Sequence, residues 1–152
     1  MSTVKLFYWN GRGTVGSVVR HATASQWDHV AVSVELDGLT CYFESYPGTG
    51  FRLVPVEGDS LPDATQETGL NWWAGKVAEV MLRLSRRRYS MWNGFLSAVF
   101  GIQRKSQAIE CAQAASLILQ ILGLPVPYVG DPQMVATEVE KLTGNPVRLR
   151  CS

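Results

Sequence analysis

The Asp37-Gly38 dipeptide, set between the valine-rich run from Val30 to Glu35 and the run from Leu39 to Ser45, constrains this chain more than any other feature. Asp-Gly tolerates the positive φ angles of a two-residue turn whose twist matches paired strands, so the two runs predict an antiparallel hairpin. A second turn signal, Pro47-Gly48, and a run from Gly50 to Val56 extend the hairpin into a meander. Val4 to Trp9, apolar and aromatic and ended by Asn10-Gly11, is a further strand candidate. Side chains alternate between faces along a strand, so whether His29, at the head of one strand, and Glu44, in the next, share a face is a matter of register.

The remainder reads as largely helical. Thr14 to Thr23 is a short helix or irregular turn, and Glu57 to Thr68 looks like a polar surface loop. Leu70 to Leu84 has apolar residues at helical spacing, and Tyr89 to Phe100 is a second, very apolar segment. Ile109 to Leu122 is the clearest helix, stopped by Gly123 and Pro125. Asp131-Pro132 supplies an N-cap and a first-turn proline for a last helix reaching about Leu142, before Gly144. Val147 to Arg150 completes the series as an edge strand. The expected class is α+β: one domain over residues 1–152, with a short antiparallel sheet packed against helices.

Composition narrows the partners. Lys and Arg number 14 against 13 Asp and Glu, a formal charge of +1, so no global field draws the protein to nucleic acid or an anionic membrane. The local cluster Arg83, Arg86, Arg87 and Arg88, with Arg104 and Lys105 beyond it, suits either a solvated face or an anionic partner. Trp72-Trp73 and Met91-Trp92 read as core or helix-packing residues, or as a stacking surface if exposed. Cys41, Cys111 and Cys151 are odd in number and form no C-x-x-C pair, which argues against a disulfide framework and a four-ligand zinc site. No metal or cofactor is expected. The start of the chain lacks a signal-peptide pattern and no span of 18 apolar residues occurs, so a protein made soluble in the cytoplasm, without a transmembrane segment, is the expectation.

Three residues carry potential chemistry. Cysteine attacks carbonyls as thiolate, and unpaired N–H groups with the positive dipole end at a helix start favour that form. Cys111 sits where the Ile109-to-Leu122 helix begins, and the same N–H groups can stabilise an oxyanion. His29, aimed from a strand, can take the thiol proton. Glu44, on the neighbouring strand, can bond the other ring nitrogen and fix the tautomer. Each residue also has an ordinary reading: Cys111 as a small buried helix residue, His29 as a strand-end residue and Glu44 as a solvent-facing one. Cys41 is a rival nucleophile only if it faces a histidine, and Cys151 is almost terminal.

Ser25-x-Trp27-x-His29-Val30-Ala31-Val32, Tyr42-Phe43-Glu44-Ser45, Tyr89-Ser90 and Glu110-Cys111-Ala112-Gln113-Ala114 together resemble the circularly permuted branch of the NlpC/P60 papain-like cysteine hydrolases, in which histidine comes first and cysteine last. YiiX-like proteins and, more remotely, the lecithin retinol acyltransferase group are related. The resemblance spans most of the chain in motif order. It implies a permuted papain-like fold with Cys111 as nucleophile, His29 as base and Glu44 as orienting residue, with Tyr89 and Asp28 beside the substrate pocket. It further implies cleavage of amide bonds, in peptidoglycan peptides above all, by an enzyme of the kind carried by phage particles or delivered to the cell envelope. Many relatives follow the cysteine with serine and an acidic residue; this chain has Ala112 and Gln113.

Other readings stay open. The same fold can act on lipid esters and amides as an acyl hydrolase or acyltransferase, or serve without catalysis as a structural or binding module of a phage particle or secretion assembly. Gly11, Gly13 and Gly16 also form a G-x-G-x-x-G after a strand, with Glu35 downstream, the outline of a dinucleotide-binding unit. Against that outline, Asp37-Gly38 leads into a hairpin and not into a second crossover.

Overall fold

The computed structural model describes residues 2–11, 25–46, 48–87 and 110–151. The segments 14–23 and 89–100, with Tyr89, Gly13, Gly16, Arg88, Trp92, Arg104 and Lys105, lie outside the described residues. Six strands form one sheet: β1 (Ser2–Trp9), β2 (His29–Leu36), β3 (Leu39–Tyr46), β4 (Gly50–Pro55), β5 (Ala64–Trp72) and the short β6 (Arg148–Leu149). Their order across the sheet is β4-β3-β2-β1-β5-β6, and every pairing is antiparallel. Among the described residues three α-helices accompany the sheet: α1 (Ala74–Leu84), α2 (Cys111–Ile121) and α3 (Pro132–Thr143). The chain is therefore α+β.

The hairpin forms as its turn residues dictate. Asp37 and Gly38 adopt φ of 50° and 81°, the left-handed pair a two-residue turn needs, and Leu36 pairs with Leu39 beside them. Alternation then sorts the two faces. Val30, Val32 and Val34 of β2 join Leu6, Tyr8 and Phe43 in a core completed by Ala112, Ala115, Ile118 and Leu119 of α2. This helix lies across β2 and β3. Phe7, Trp9, Ala31 and Tyr42 face the other way and make a second, smaller aromatic cluster.

Two boundaries differ from the sequence reading. The segment 57–68 is not a surface loop throughout: Ala64 begins β5, which pairs with β1 in the middle of the sheet. Its buried positions include Gln66 and Thr68, polar residues whose hydrogen bonds are satisfied internally. Tyr8 Oη donates to Gln66 Oε1 at 2.7 Å, Gln66 Nε2 donates to the Ala136 and Asn145 carbonyls at 2.9 and 2.8 Å, and Thr68 Oγ1 donates to the Val4 carbonyl at 2.7 Å. Correspondingly, Leu70 is not helical: β5 runs to Trp72, and α1 starts only at Ala74. Trp72 is buried, whereas Trp73 at the helix N-cap is 59% exposed.

The two later helices obey their caps. Asp131 accepts a hydrogen bond from the Gln133 N–H at 2.7 Å with Pro132 in the first turn, and Gly144, at φ 75°, ends α3. At α2, Glu110 and Gln113 form a reciprocal capping box. This caps the helix at Glu110, immediately before its first residue, Cys111.

Candidate active site

His29 is the first residue of β2 and Cys111 the first of α2, and the thiol side chain lies near enough to the imidazole to raise its pKa. The strand register supplies the third member. Val32 pairs with Phe43 and Ser33 with Tyr42, so continuing the ladder places Ala31 opposite Glu44 and puts His29, Ala31 and Glu44 on one face. Glu44 Oε2 lies 2.5 Å from His29 Nε2, which leaves Nδ1 as the ring nitrogen for the sulfur. The three residues singled out from sequence thus meet, although 82 positions separate His29 from Cys111 (111 less 29).

All three are withdrawn from water: Cys111 is 7% exposed, His29 5% and Glu44 1%. Trp9 and Tyr46 wall the imidazole, with ring centroids 5.4 and 5.8 Å from it. Burial disfavours the charged ring, but the hydrogen bonds and charges of Cys111 and then Glu44 outweigh it and raise His29 from 6.5 to about 9. For Glu44, burial pushes toward the neutral form; the contacts with His29 and Arg52 prevail and hold it below the usual carboxylate range.

Arg52 is the member that sequence reasoning missed. It pairs directly across from Glu44 in the β3–β4 ladder, and its Nε and Nη2 both donate to Glu44 Oε1, at 2.8 and 2.6 Å. Its guanidinium also lies over the Tyr46 ring, 4.9 Å from the centroid. A signal for it was present, since Glu44 and Arg52 are equally spaced about Gly48 and opposite charges facing across a hairpin attract. Glu44 Oε1 thus faces Arg52 and Oε2 faces His29.

The start of α2 is electrostatically unusual. Glu110 is buried, and burial, followed by the charge of Asp131, raises its carboxyl to about 8. Its neutral form is therefore favoured at neutral pH, while the charge of Asp131 acts on the same helix start. Within the first turn, Glu110 takes the N–H groups of Gln113, through its side chain, and Ala114, through its carbonyl. Glu110 Oε1 and Gln113 Nε2 are buried polar atoms with no hydrogen-bond partner among the described residues.

The other candidate residues fall elsewhere. Asp28 is buried beside His29, but its carboxylate accepts from the Gly11 N–H at 2.5 Å and so closes the turn after β1. Cys41 faces the main core opposite Val34, five residues along β2 from His29, a separation of about 17 Å at strand rise. Burial, then the charges of Glu35 and Glu57, raises its thiol above the ordinary value. Cys151 is exposed. Gly11, with φ 96°, ends the β1 strand, while the β1–β2 pairing is antiparallel, unlike the parallel pair of a dinucleotide-binding unit. Among the described residues no helix is long and apolar enough to cross a membrane.

Comparison with protein families and with curated proteins finds no match to this chain.

Proposed function

We propose that the protein is a thiol hydrolase that cleaves amide bonds, a permuted NlpC/P60-like papain relative acting on peptidoglycan peptides. The observation that carries the reading is His29, held through Nε2 by Glu44 and interacting with the Cys111 thiol at a helix N-terminus.

In the reaction, the Cys111 sulfur attacks the carbonyl carbon as thiolate, with the thiol proton on His29. The C=O electron pair moves to oxygen, and the N–H groups of Cys111 and Ala112, at the open end of α2, suit that oxyanion. The imidazolium then gives its proton to the amide nitrogen as the C–N bond breaks, releasing an amine and leaving a thioester. Water adds to the thioester with His29 as base, the thiolate departs, and a carboxylic acid is released. Glu44 keeps the proton of the neutral imidazole on Nε2, so that Nδ1 is the basic nitrogen in each step. The amide chemistry follows from this constellation; peptidoglycan as substrate follows from the family resemblance.

Alkylation of each cysteine, followed by peptide mapping between about pH 5 and 9, tests the activated pair. Cys111 is expected to react faster than Cys41 near neutral pH and to slow by at least about tenfold in His29→Ala. Digestion of purified peptidoglycan should then release new amino groups in wild type and not in Cys111→Ala. A Cys111 that is inert in the folded protein, or that reacts identically without His29, would remove the hydrolase reading in favour of a binding scaffold.

A further inference from the structure

Arg52 meets Glu44 on the side away from the imidazole, and what it does there follows from the burial of that carboxylate. The Glu44 side chain is fully enclosed, whereas that of Arg52 is 39% exposed. A buried carboxyl facing an imidazole has an alternative to the ion pair: it keeps its own proton and donates it to the ring. That neutral pair puts the acceptor lone pair on Nε2 and the hydrogen on Nδ1, toward the sulfur, which is the wrong tautomer for taking a proton from Cys111.

We propose that Arg52 is a positioning residue that acts through Glu44, holding it ionised and in one orientation so that His29 offers Nδ1 to Cys111; this deepens the hydrolase reading and rests on it. Three features of the structure argue for it. The guanidinium is charged at every accessible pH, so it favours the carboxylate throughout. Its two parallel donors both engage Oε1, at 2.8 and 2.6 Å, which reserves Oε2 for His29. Finally, stacking on Tyr46, which is itself edge-on to His29, limits the freedom of the arginine head. The contacts of Glu44 favouring its charged form include both His29 and Arg52.

The test is NMR titration of protein carrying nitrogen-labelled histidine. The chain has two histidines, His21 and His29, so His29→Ala assigns the signals. Arg52→Gln is expected to lower the His29 midpoint by at least about one pH unit, to move the neutral-ring proton from Nε2 toward Nδ1, and to slow Cys111 alkylation at least about tenfold near neutral pH. Arg52→Lys, which keeps the charge but not the paired donors, should fall between wild type and Arg52→Gln. An unchanged His29 midpoint and tautomer in either folded variant overturns the proposal. So does Arg52→Lys falling as low as Arg52→Gln, because charge would then be irrelevant and the arginine would act by packing alone. If Arg52→Gln does not fold, the Arg52→Lys titration decides by the same midpoint. Failure of the hydrolase reading is separately visible, as wild-type Cys111 alkylation indifferent to His29→Ala.

Discussion

Glu44→Gln is the perturbation that interrogates the buried network most directly, because it preserves shape and removes only charge and acceptor capacity. The carboxylate accepts from His29 on one oxygen and twice from Arg52 on the other. An amide keeps one acceptor oxygen, so its NH2 must face either the guanidinium or the imidazole N–H, donor against donor. The Arg52 arm is cheap to lose: its side chain is 39% exposed and can turn to water, a cost of about 1 kcal/mol or less. The His29 arm is enclosed on both sides, with side chains 6% and 0% exposed. Breaking such a pair by altering one partner costs about 3 kcal/mol. The expected loss of unfolding free energy near neutral pH is therefore about 3 kcal/mol, or about 10 °C in Tm for a chain of this size. Urea denaturation at several pH values measures it. The Glu44 pKa is lowered in the folded state, so its stabilisation is present above the unfolded value of 4.5 and is lost as pH falls through the folded one. The gap between wild type and Glu44→Gln should accordingly close in acid. A loss below about 1 kcal/mol at neutral pH, or a gap that stays constant into acid, would refute the reasoning, since either would mean that the ionised carboxylate contributes no more than a surface pair.

At the alkaline end the sign reverses. His29 is raised from 6.5 to about 9, so its contribution is fully present below pH 6.5 and disappears as pH rises through about 9. The interval corresponds to about 3 kcal/mol. Urea midpoints should fall over this range in wild type, fall less in Cys111→Ala, where only Glu44 supports the imidazolium, and lose this component in His29→Ala. At α3, Asp131→Ala removes the N-cap acceptor of the Gln133 N–H, which should lower stability by about 1 kcal/mol in the same assay. It also removes the charge that helps raise Glu110, so the Glu110 carboxyl should titrate lower than about 8 in that variant if it is followed by carboxyl NMR.

How far the site could be read from sequence depended on whether local or register information was needed. Asp37-Gly38, Asp131-Pro132 and Gly144 act within a few residues of themselves, and the turn and caps stand where these residues require them. Cys111 opens its helix because Glu110 and Gln113 cap it, a reciprocal pattern three residues apart. β5 was hidden because its central inward residues are Gln66 and Thr68, whose partners Tyr8, Ala136, Asn145 and Val4 come from three other parts of the chain. Polarity on an inward face imitates a loop unless those partners are known. Arg52 was hidden for a related reason: its place opposite Glu44 follows from the Tyr46↔Gly50 register of the second hairpin, which a turn signal implies but does not number. The burial that makes Glu110 neutral belongs to no local pattern at all.

The arrangement also bears on why a chain would keep such a cluster. A carboxylate, an imidazole and a thiol enclosed at the head of a helix fill space no better than leucine or phenylalanine would, and charges taken out of water must be repaid contact by contact. Here the repayment is specific. Glu44 accepts on both oxygens, His29 is bonded at one nitrogen to Glu44 and interacts with Cys111, and aromatic rings close the sides. Near Cys111 the compensation is less complete: among the described residues Glu110 Oε1 and Gln113 Nε2 have no hydrogen-bond partner, and Glu110 is shifted toward its neutral form. The proposal of catalysis, in preference to a binding scaffold, rests on the Glu44–His29 arrangement beside Cys111.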